Sequence, residues 1–246
     1  MTASKPIAAA TAAAEAAETT EAAETAGTAP ARAPKVLMLN GSPHAHGNTN
    51  AALEEIGRAL VAEGVAYEIV QIGVKPVRDC VACGACARLD NACAFGGDDG
   101  VNEFIDRARE ASGFVFGTPT YYAHPSGSVL SFLDRVFYAD QGAEAFRHKP
   151  AAAVAIARRG GNATSFDVMN KYFGISEMPV VSSTYWNIAY GRTPGEVARD
   201  AEGMQTMRNI GHNMAWLIKC IAAGRKAGVA LPATERGAWT HFIRES

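Results

Sequence analysis

Four cysteines, Cys80, Cys83, Cys86 and Cys93, stand in a C-x2-C-x2-C-x6-C spacing. Thiolates this close together along a chain suit a [4Fe–4S] cluster. C-x2-C pairs also suit tetrahedral zinc, and bare thiols in a reducing compartment are a third reading. A second concentration of chemistry lies in residues 36–50, VLMLNGSPHAHGNTN. Its apolar start reads as a short buried strand, followed by a small polar loop from Asn40 to Gly47. After it Leu53, Ile56 and Leu60 fall on one face of a helix. The first N–H groups of such a helix lack intrahelical acceptors, and its dipole favours an anion there. The loop has no lysine, which excludes a P-loop, and Gly41 and Gly47 do not form G-x-G-x-x-G. The donors left are Ser42, Asn48, Thr49 and the backbone around Gly47, with His46 beside them. That set suits a monophosphate held without a metal. The bland alternative is that Asn48 and Thr49 only cap the helix.

The elements that must position these groups follow from periodicity. Residues 67–72 and 113–117 read as strands, 101–110 and 126–137 as helices, and 77–100 as an irregular segment rich in Cys, Asp and Gly. Residues 118–122 read as a loop. Residues 151–157 (AAAVAIA) form a strand, 158–162 a loop and 165–173 a helix. A fifth strand is expected at 178–183, ragged toward Trp186. Met207, Ile210, Met214, Leu217, Ile218 and Ile221 mark a long closing helix. Strands alternating with helices call for a parallel sheet covered on both faces.

The GSP-x-x-x-GNT loop, with PTYYAHPSG (residues 119–127) and SFLDR (131–135), resembles the flavodoxin-like NAD(P)H-dependent FMN reductases. Leu130 stands where that pattern has lysine. The resemblance implies a flavodoxin-like α/β three-layer sandwich with a five-stranded parallel sheet of order 2-1-3-4-5. The loops after Leu39, Phe116 and Ile156 then meet at the switch point where ligand binds. It implies FMN, with its phosphate on Ser42, His46, Gly47, Asn48 and Thr49. Pro119, Thr120, Tyr121 and Tyr122 would wall the ring, with Ser126 and Gly127 leaving room for close approach. Arg158, Arg159, Gly160 and Gly161 would face the pyrimidine edge or a nicotinamide phosphate. NAD(P)H would be the co-substrate and a quinone or other small molecule the electron acceptor. Asp134 and Arg135 read as an ordinary ion pair, and His44 and His124 as surface or hydrogen-bonding residues. The cysteine spacing resembles that of the iron–sulfur flavoproteins, which share this fold. A cluster-bearing electron carrier is therefore the alternative function, and a non-enzymatic flavin-binding interaction protein a further one. The resemblance also implies a homodimer or homotetramer.

Residues 1–33 are mostly Ala, Thr and Glu and cannot bury enough apolar surface to fold. They read as a disordered tail. Residues 34–246 are long enough for one domain, with a cysteine-rich insert at 78–100. The formal net charge is −2, and the tail's four glutamates against Lys5 and Arg32 account for it. A near-neutral fold argues against a nucleic-acid surface, and no apolar run is long enough to span a membrane. Clustered thiols point to the cytoplasm. Cys220, in the closing helix, reads as a buried small apolar residue.

Overall fold

The structure, a computed structural model, describes residues 33–141, 144–238, 240 and 242. The tail expected at residues 1–33 lies, apart from Ala33, outside the described residues. In chain order the elements are β1 (Lys35–Asn40), α1 (Asn48–Ala62), β2 (Ala66–Gln71), α2 (Val101–Glu110), β3 (Gly113–Tyr121) and β4 (His124–Pro125). There follow α3 (Gly127–Asp140), β5 (Ala151–Ala157), α4 (Asn162–Ile175), β6 (Ile188–Tyr190) and α5 (Ala201–Lys226).

The sheet runs β2-β1-β3-β5-β6, with every pair in that row parallel. The two-residue β4 pairs antiparallel with the end of β3 and makes a sixth strand. With β4 set aside, the parallel strands follow the expected 2-1-3-4-5. Alternation along each strand builds two cores. Leu37, Leu39, Phe114, Phe116 and Ala153 face α2, α3 and α4. Val36, Met38, Val115, Val154 and Ile156 face α1 and α5. Small alanines on β5 leave room on the first face for a run of rings, with Phe137 stacked on Phe146 and Phe104 edge-on to Phe132.

Two strand expectations need correction. The fifth strand is not at 178–183. Val180 makes one isolated bridge to Ala151, the chain loops out, and pairing resumes at Ile188–Tyr190 against β5. The buried Asn187 amide closes that excursion by donating to the Val181 carbonyl at 3.2 Å. That side-chain donor stands in for a ladder hydrogen bond there, while the buried Asn187 Oδ1 has no partner among the described residues. The second correction concerns residues 118–122, read as a loop. β3 runs on to Tyr121 and turns back through Tyr122 and Ala123, both with positive φ (52° and 57°). Two consecutive left-handed residues match the right-handed twist of a tight hairpin. Cys220, expected to be buried, is exposed on α5.

Candidate functional site

Parallel strands aim their carboxyl ends at one edge of the sheet, and the loops after β1, β3, β5 and β6 enclose a cleft of about 840 Å³ there. That is the size range of a cofactor pocket. The first loop is shaped by Asn40, which is fully buried. Its Nδ2 donates to Gln71 Oε1 at 2.5 Å and its Oδ1 accepts from Ser42 N at 3.1 Å. Ser42 Oγ in turn accepts from His44 N at 3.2 Å. Gly41 N donates to Gly117 O at 2.8 Å, so the ends of β1 and β3 nearly touch. A Cβ on Gly41 would stand 2.7 Å from that carbonyl, so no larger residue fits. Ser126 locks the same junction: it caps α3 by accepting from Val129 N and donates to Gly41 O at 2.8 Å.

Ser42, His46, Gly47, Asn48, Thr49, Pro119, Thr120, Tyr121 and Arg158 line the cleft, as the sequence suggests. Tyr122, Ser126, Gly127, Arg159, Gly160 and Gly161 are not among its lining residues. Tyr122 stands fully exposed at the hairpin tip. Gly161 has φ +82° and supports that hairpin, since a Cβ there would lie 2.7 Å from Ala123 Cα. Asn48 is engaged elsewhere: its amide donates to Thr193 O at 2.9 Å and accepts from Val197 N at 3.1 Å. It therefore pins a fourth wall, Gly191, Arg192 and Pro194, that sequence reasoning missed. The misplaced fifth strand hid this loop, although GRTPGE carries ordinary turn signals.

Three observations show what the cleft can hold. The N-cap of α1 is Gly47, which gives no side-chain cap, as with the glycines that start α2 and α4, and this helix start lies at the cleft. The hydroxyl of Thr120 is buried without a hydrogen-bond partner, and that of the buried Thr49 has none among the described residues. Arg158 and Arg192 reach the cleft without an acidic partner among the described residues, and no carboxylate lines it. Free N–H groups, spare hydroxyls and unpaired cations are the donor set of an anionic ligand. Tyr121, Pro119 and Ile156 add apolar surface for a ring. These residues fit FMN.

The cysteine segment forms a separate centre. Cys80, Cys83, Cys86 and Cys93 line one small cavity with Phe95, Arg135 and Tyr138, and no lining residue is shared with the cleft. All four thiols are free. Among the described residues no group of three or more His, Cys, Asp or Glu comes together closely enough to hold a metal ion. Arg135 does not pair with Asp134, contrary to the sequence reading. Neighbours on a helix point about 100° apart, so Asp134 accepts from the Tyr172 hydroxyl while Arg135 turns into the cysteine loop. Burial, reinforced by the Asp134 carboxylate, pushes the Tyr172 phenol well above its ordinary value.

The sequence pattern of the NADPH-dependent FMN reductase family matches residues 34–193. An iron–sulfur flavoprotein of Methanocaldococcus jannaschii is 30% identical over 194 residues, 76% of this chain and 98% of that protein. An iron–sulfur flavoprotein of Methanosarcina thermophila is 25% identical over 195 residues, 78% of this chain and 98% of that one. Among solved structures, a WrbA-like flavodoxin from Agrobacterium tumefaciens superposes with a TM-score of 0.53 at 16% identity, covering 76% of this chain and 98% of that one. That last likeness concerns the fold alone. The chain belongs to the flavodoxin-like NADPH-dependent FMN reductase family and is an FMN-dependent oxidoreductase.

Proposed function

We propose that the cleft holds FMN, that the cysteine cavity holds a [4Fe–4S] cluster, and that the protein passes electrons from an external carrier to a small-molecule acceptor. The observation that carries this reading is the C-x2-C-x2-C-x6-C spacing, with all four cysteines on one small cavity whose thiols would have to draw together to hold a cluster. The two relatives named iron–sulfur flavoproteins, each matched along nearly its whole length, support it. The spacing of the four cysteines is that of a four-iron cluster site. FMN, when bound, supplies both hydride and single-electron chemistry, so no protein nucleophile is needed. The chain's own tasks are to bind and orient. The α1 N-terminus, Ser42, Gly47 and Thr49 hold the phosphate, and His46 stands beside them. Thr120 donates to the ring edge, Tyr121 and Pro119 wall the ring, and Arg158 faces the charge that reduction adds. The test is an anaerobic visible spectrum with iron and sulfide assayed on the same sample. Flavin bands over a broad brown absorption, with about four irons per chain, are expected. A plain flavin spectrum without iron would remove the cluster, and no flavin uptake would remove both.

A second reading has NAD(P)H deliver hydride directly to FMN, with a quinone or similar acceptor reoxidising it. The unpaired Arg158 and Arg192 favour it, because a nicotinamide cofactor brings further phosphates to the cleft. Steady-state NADH and NADPH oxidation decides between the two readings. The homodimer or homotetramer belongs to the proposal as well. Tyr185, Trp186 and Trp216 are exposed, and light scattering on the holoprotein tests the assembly. Among the described residues no helix is long and apolar enough to cross a membrane.

A further inference from the structure

Residues 191–197, the fourth wall of the cleft, are held by bonds that leave one group unused. Gly191 N donates to Ala157 O at 3.0 Å, which ties the wall to the end of β5. A Cβ on Gly191 would stand 2.8 Å from Val197 N and 2.9 Å from Asn48 Cγ, so the loop is folded tightly on itself and against α1. Glu196 Oε2 accepts from Arg192 N at 2.7 Å, from Thr193 N at 2.9 Å and from the Thr193 hydroxyl at 3.3 Å. Those backbone donors, Thr193 first and Arg192 second, hold the Glu196 carboxyl below its ordinary value. Asp200 is used in the same way, accepting from Tyr190 N at 2.8 Å and from Gly203 N at 2.9 Å.

Both carboxylates near Arg192 in the chain are therefore engaged by backbone. The Arg192 side chain has no acidic partner among the described residues; it lines the cleft and is exposed. The other polar groups of the cleft differ in depth. Ser42 is 4% exposed and Thr49 3%, and they belong to the loop and helix start that face the FMN phosphate in the reading above. Buried donors suit a resident cofactor. An exposed cation on a pre-ordered loop suits a molecule that enters and leaves, because little order is lost when it binds. A guanidinium presents parallel N–H donors that match phosphate and carboxylate oxygens, and no carboxylate lines the cleft to oppose them. At about 840 Å³ the cleft has room for such a molecule beside a flavin.

We infer that Arg192 is a specificity-determining residue: among the small molecules that meet the flavin, it makes the cleft prefer those bearing a phosphate or carboxylate group. The inference rests on the FMN reading above and is independent of the cysteine cavity. It holds whether the anionic molecule gives or takes electrons. A phosphorylated donor of the nicotinamide type and an acidic acceptor present the same kind of oxygens to the guanidinium. Glu196 and Asn48 act through Arg192. They are positioning residues, fixing the backbone from which its side chain starts.

The experiment measures equilibrium binding to the oxidised, FMN-loaded protein by calorimetry, so that no turnover enters. Two pairs of probes each differ by one anionic group: NADP⁺ against NAD⁺, and nitrobenzoate against nitrobenzamide. Wild type is expected to bind the more anionic member of at least one pair about tenfold more tightly, the value of one hydrogen bond to a charged group. Arg192→Gln is expected to erase that ratio, and Arg192→Lys to keep part of it. In wild type the ratio should shrink as salt rises, because an exposed charge is screened, and in Arg192→Gln it should stay flat. The pair that responds tells a donor from an acceptor. A wild-type ratio near one in both pairs, or a ratio that survives in Arg192→Gln, would overturn the inference. FMN and riboflavin titrated by fluorescence quenching give a second readout. Loss of FMN affinity in Arg192→Gln with riboflavin affinity retained would give the cation to the cofactor's own phosphate and overturn the inference as well. Wild-type protein that binds no FMN would fail the cofactor reading itself before any variant is made.

Discussion

The cleft and the cysteine loop are both irregular and polar, yet they are held in opposite ways. The cleft hangs from regular structure: β1, β3, β5 and β6 end at it, and its loops lock together through Gly41, Gly117 and Ser126. Its arginines, Arg158 and Arg192, stay at the surface and unpaired among the described residues. The cysteine loop has no ladder beneath it, only a short 3₁₀ turn at Ala85–Arg88. There a single buried arginine does what strand pairing does elsewhere. In the first region the protein satisfies its own backbone and leaves its cations for a ligand. In the second it consumes the cation to hold the fold. A charge's place in function is therefore read from what else competes for it.

The sharpest way to break this contrast is to disturb the strand ends alone. Gly41→Ala places a methyl 2.7 Å from the Gly117 carbonyl and from Val129 Cγ2. Overpacking of this kind costs about 1–3 kcal/mol, here with the β1–β3 junction displaced. Denaturant midpoints should fall, and FMN titrated by fluorescence quenching should bind at least about tenfold more weakly. Iron content should not change. Loss of iron in this variant would mean that the two regions are not independent.

Thr49→Val sharpens the same point with smaller means. The Thr49 hydroxyl has no protein partner among the described residues, so valine, of equal shape, should leave thermal stability unchanged or slightly raised. If that hydroxyl serves the phosphate, FMN affinity should still drop by about tenfold, the value of one hydrogen bond to a charged group. A variant with normal FMN affinity would remove Thr49 from the cradle.

Asn48→Ala separates two roles that the sequence merges. Read from sequence, Asn48 is a phosphate donor; in the structure both ends of its amide hold residues 193–197. Loss of those bonds should cost about 1 kcal/mol. The change should appear as faster hydrogen exchange in residues 191–197 and a several-fold rise in KM for the electron donor. FMN affinity should change less than in Thr49→Val, and the reverse order would restore the sequence reading.

The sequence made the sheet legible because alternation and strand length are local properties. Thr118 to Tyr121 defeated that reading. Pro119 and the polar residues around it look like loop, yet the segment pairs with β5 through Pro119 and with β4 through Thr120 and Tyr121. Residues 178–183 failed in the other direction: MPVVSS has strand composition, but Asn187 draws the chain out and moves the pairing to residues 188–190. The first three cleft loops were legible from their composition. The fourth was not, because its place depended on that misread strand. The Arg135–Asp99 pair was invisible for a different reason: its partners lie 36 residues apart, and no local pattern encodes a long-range ion pair.

A third cation, Lys149, sits apart from both regions and gives the smallest effect. Its ammonium donates to the Ala108 and Arg109 carbonyls at 2.9 and 3.0 Å, at the end of α2, and lies 5.8 Å from the Phe114 ring centre. Burial lowers its pKa from 10.5 to about 8, with Asp140 opposing the shift and Arg225 adding to it. A lysine depressed in the folded state binds fewer protons there than in the unfolded chain between these two values. Stability should therefore rise with pH across roughly pH 8 to 10.5 and carry the full cost of the buried charge below it. The whole interval would correspond to a few kcal/mol, but partial exposure and solvent screening reduce it to about 1 kcal/mol. Lys149→Met should flatten that part of the curve, measured as the difference in unfolding free energy between variant and wild type at pH 7.5 and 10. An unchanged difference would show that the carbonyls of Ala108 and Arg109 compensate the charge fully, making Lys149, like Arg135, a cation consumed by the fold.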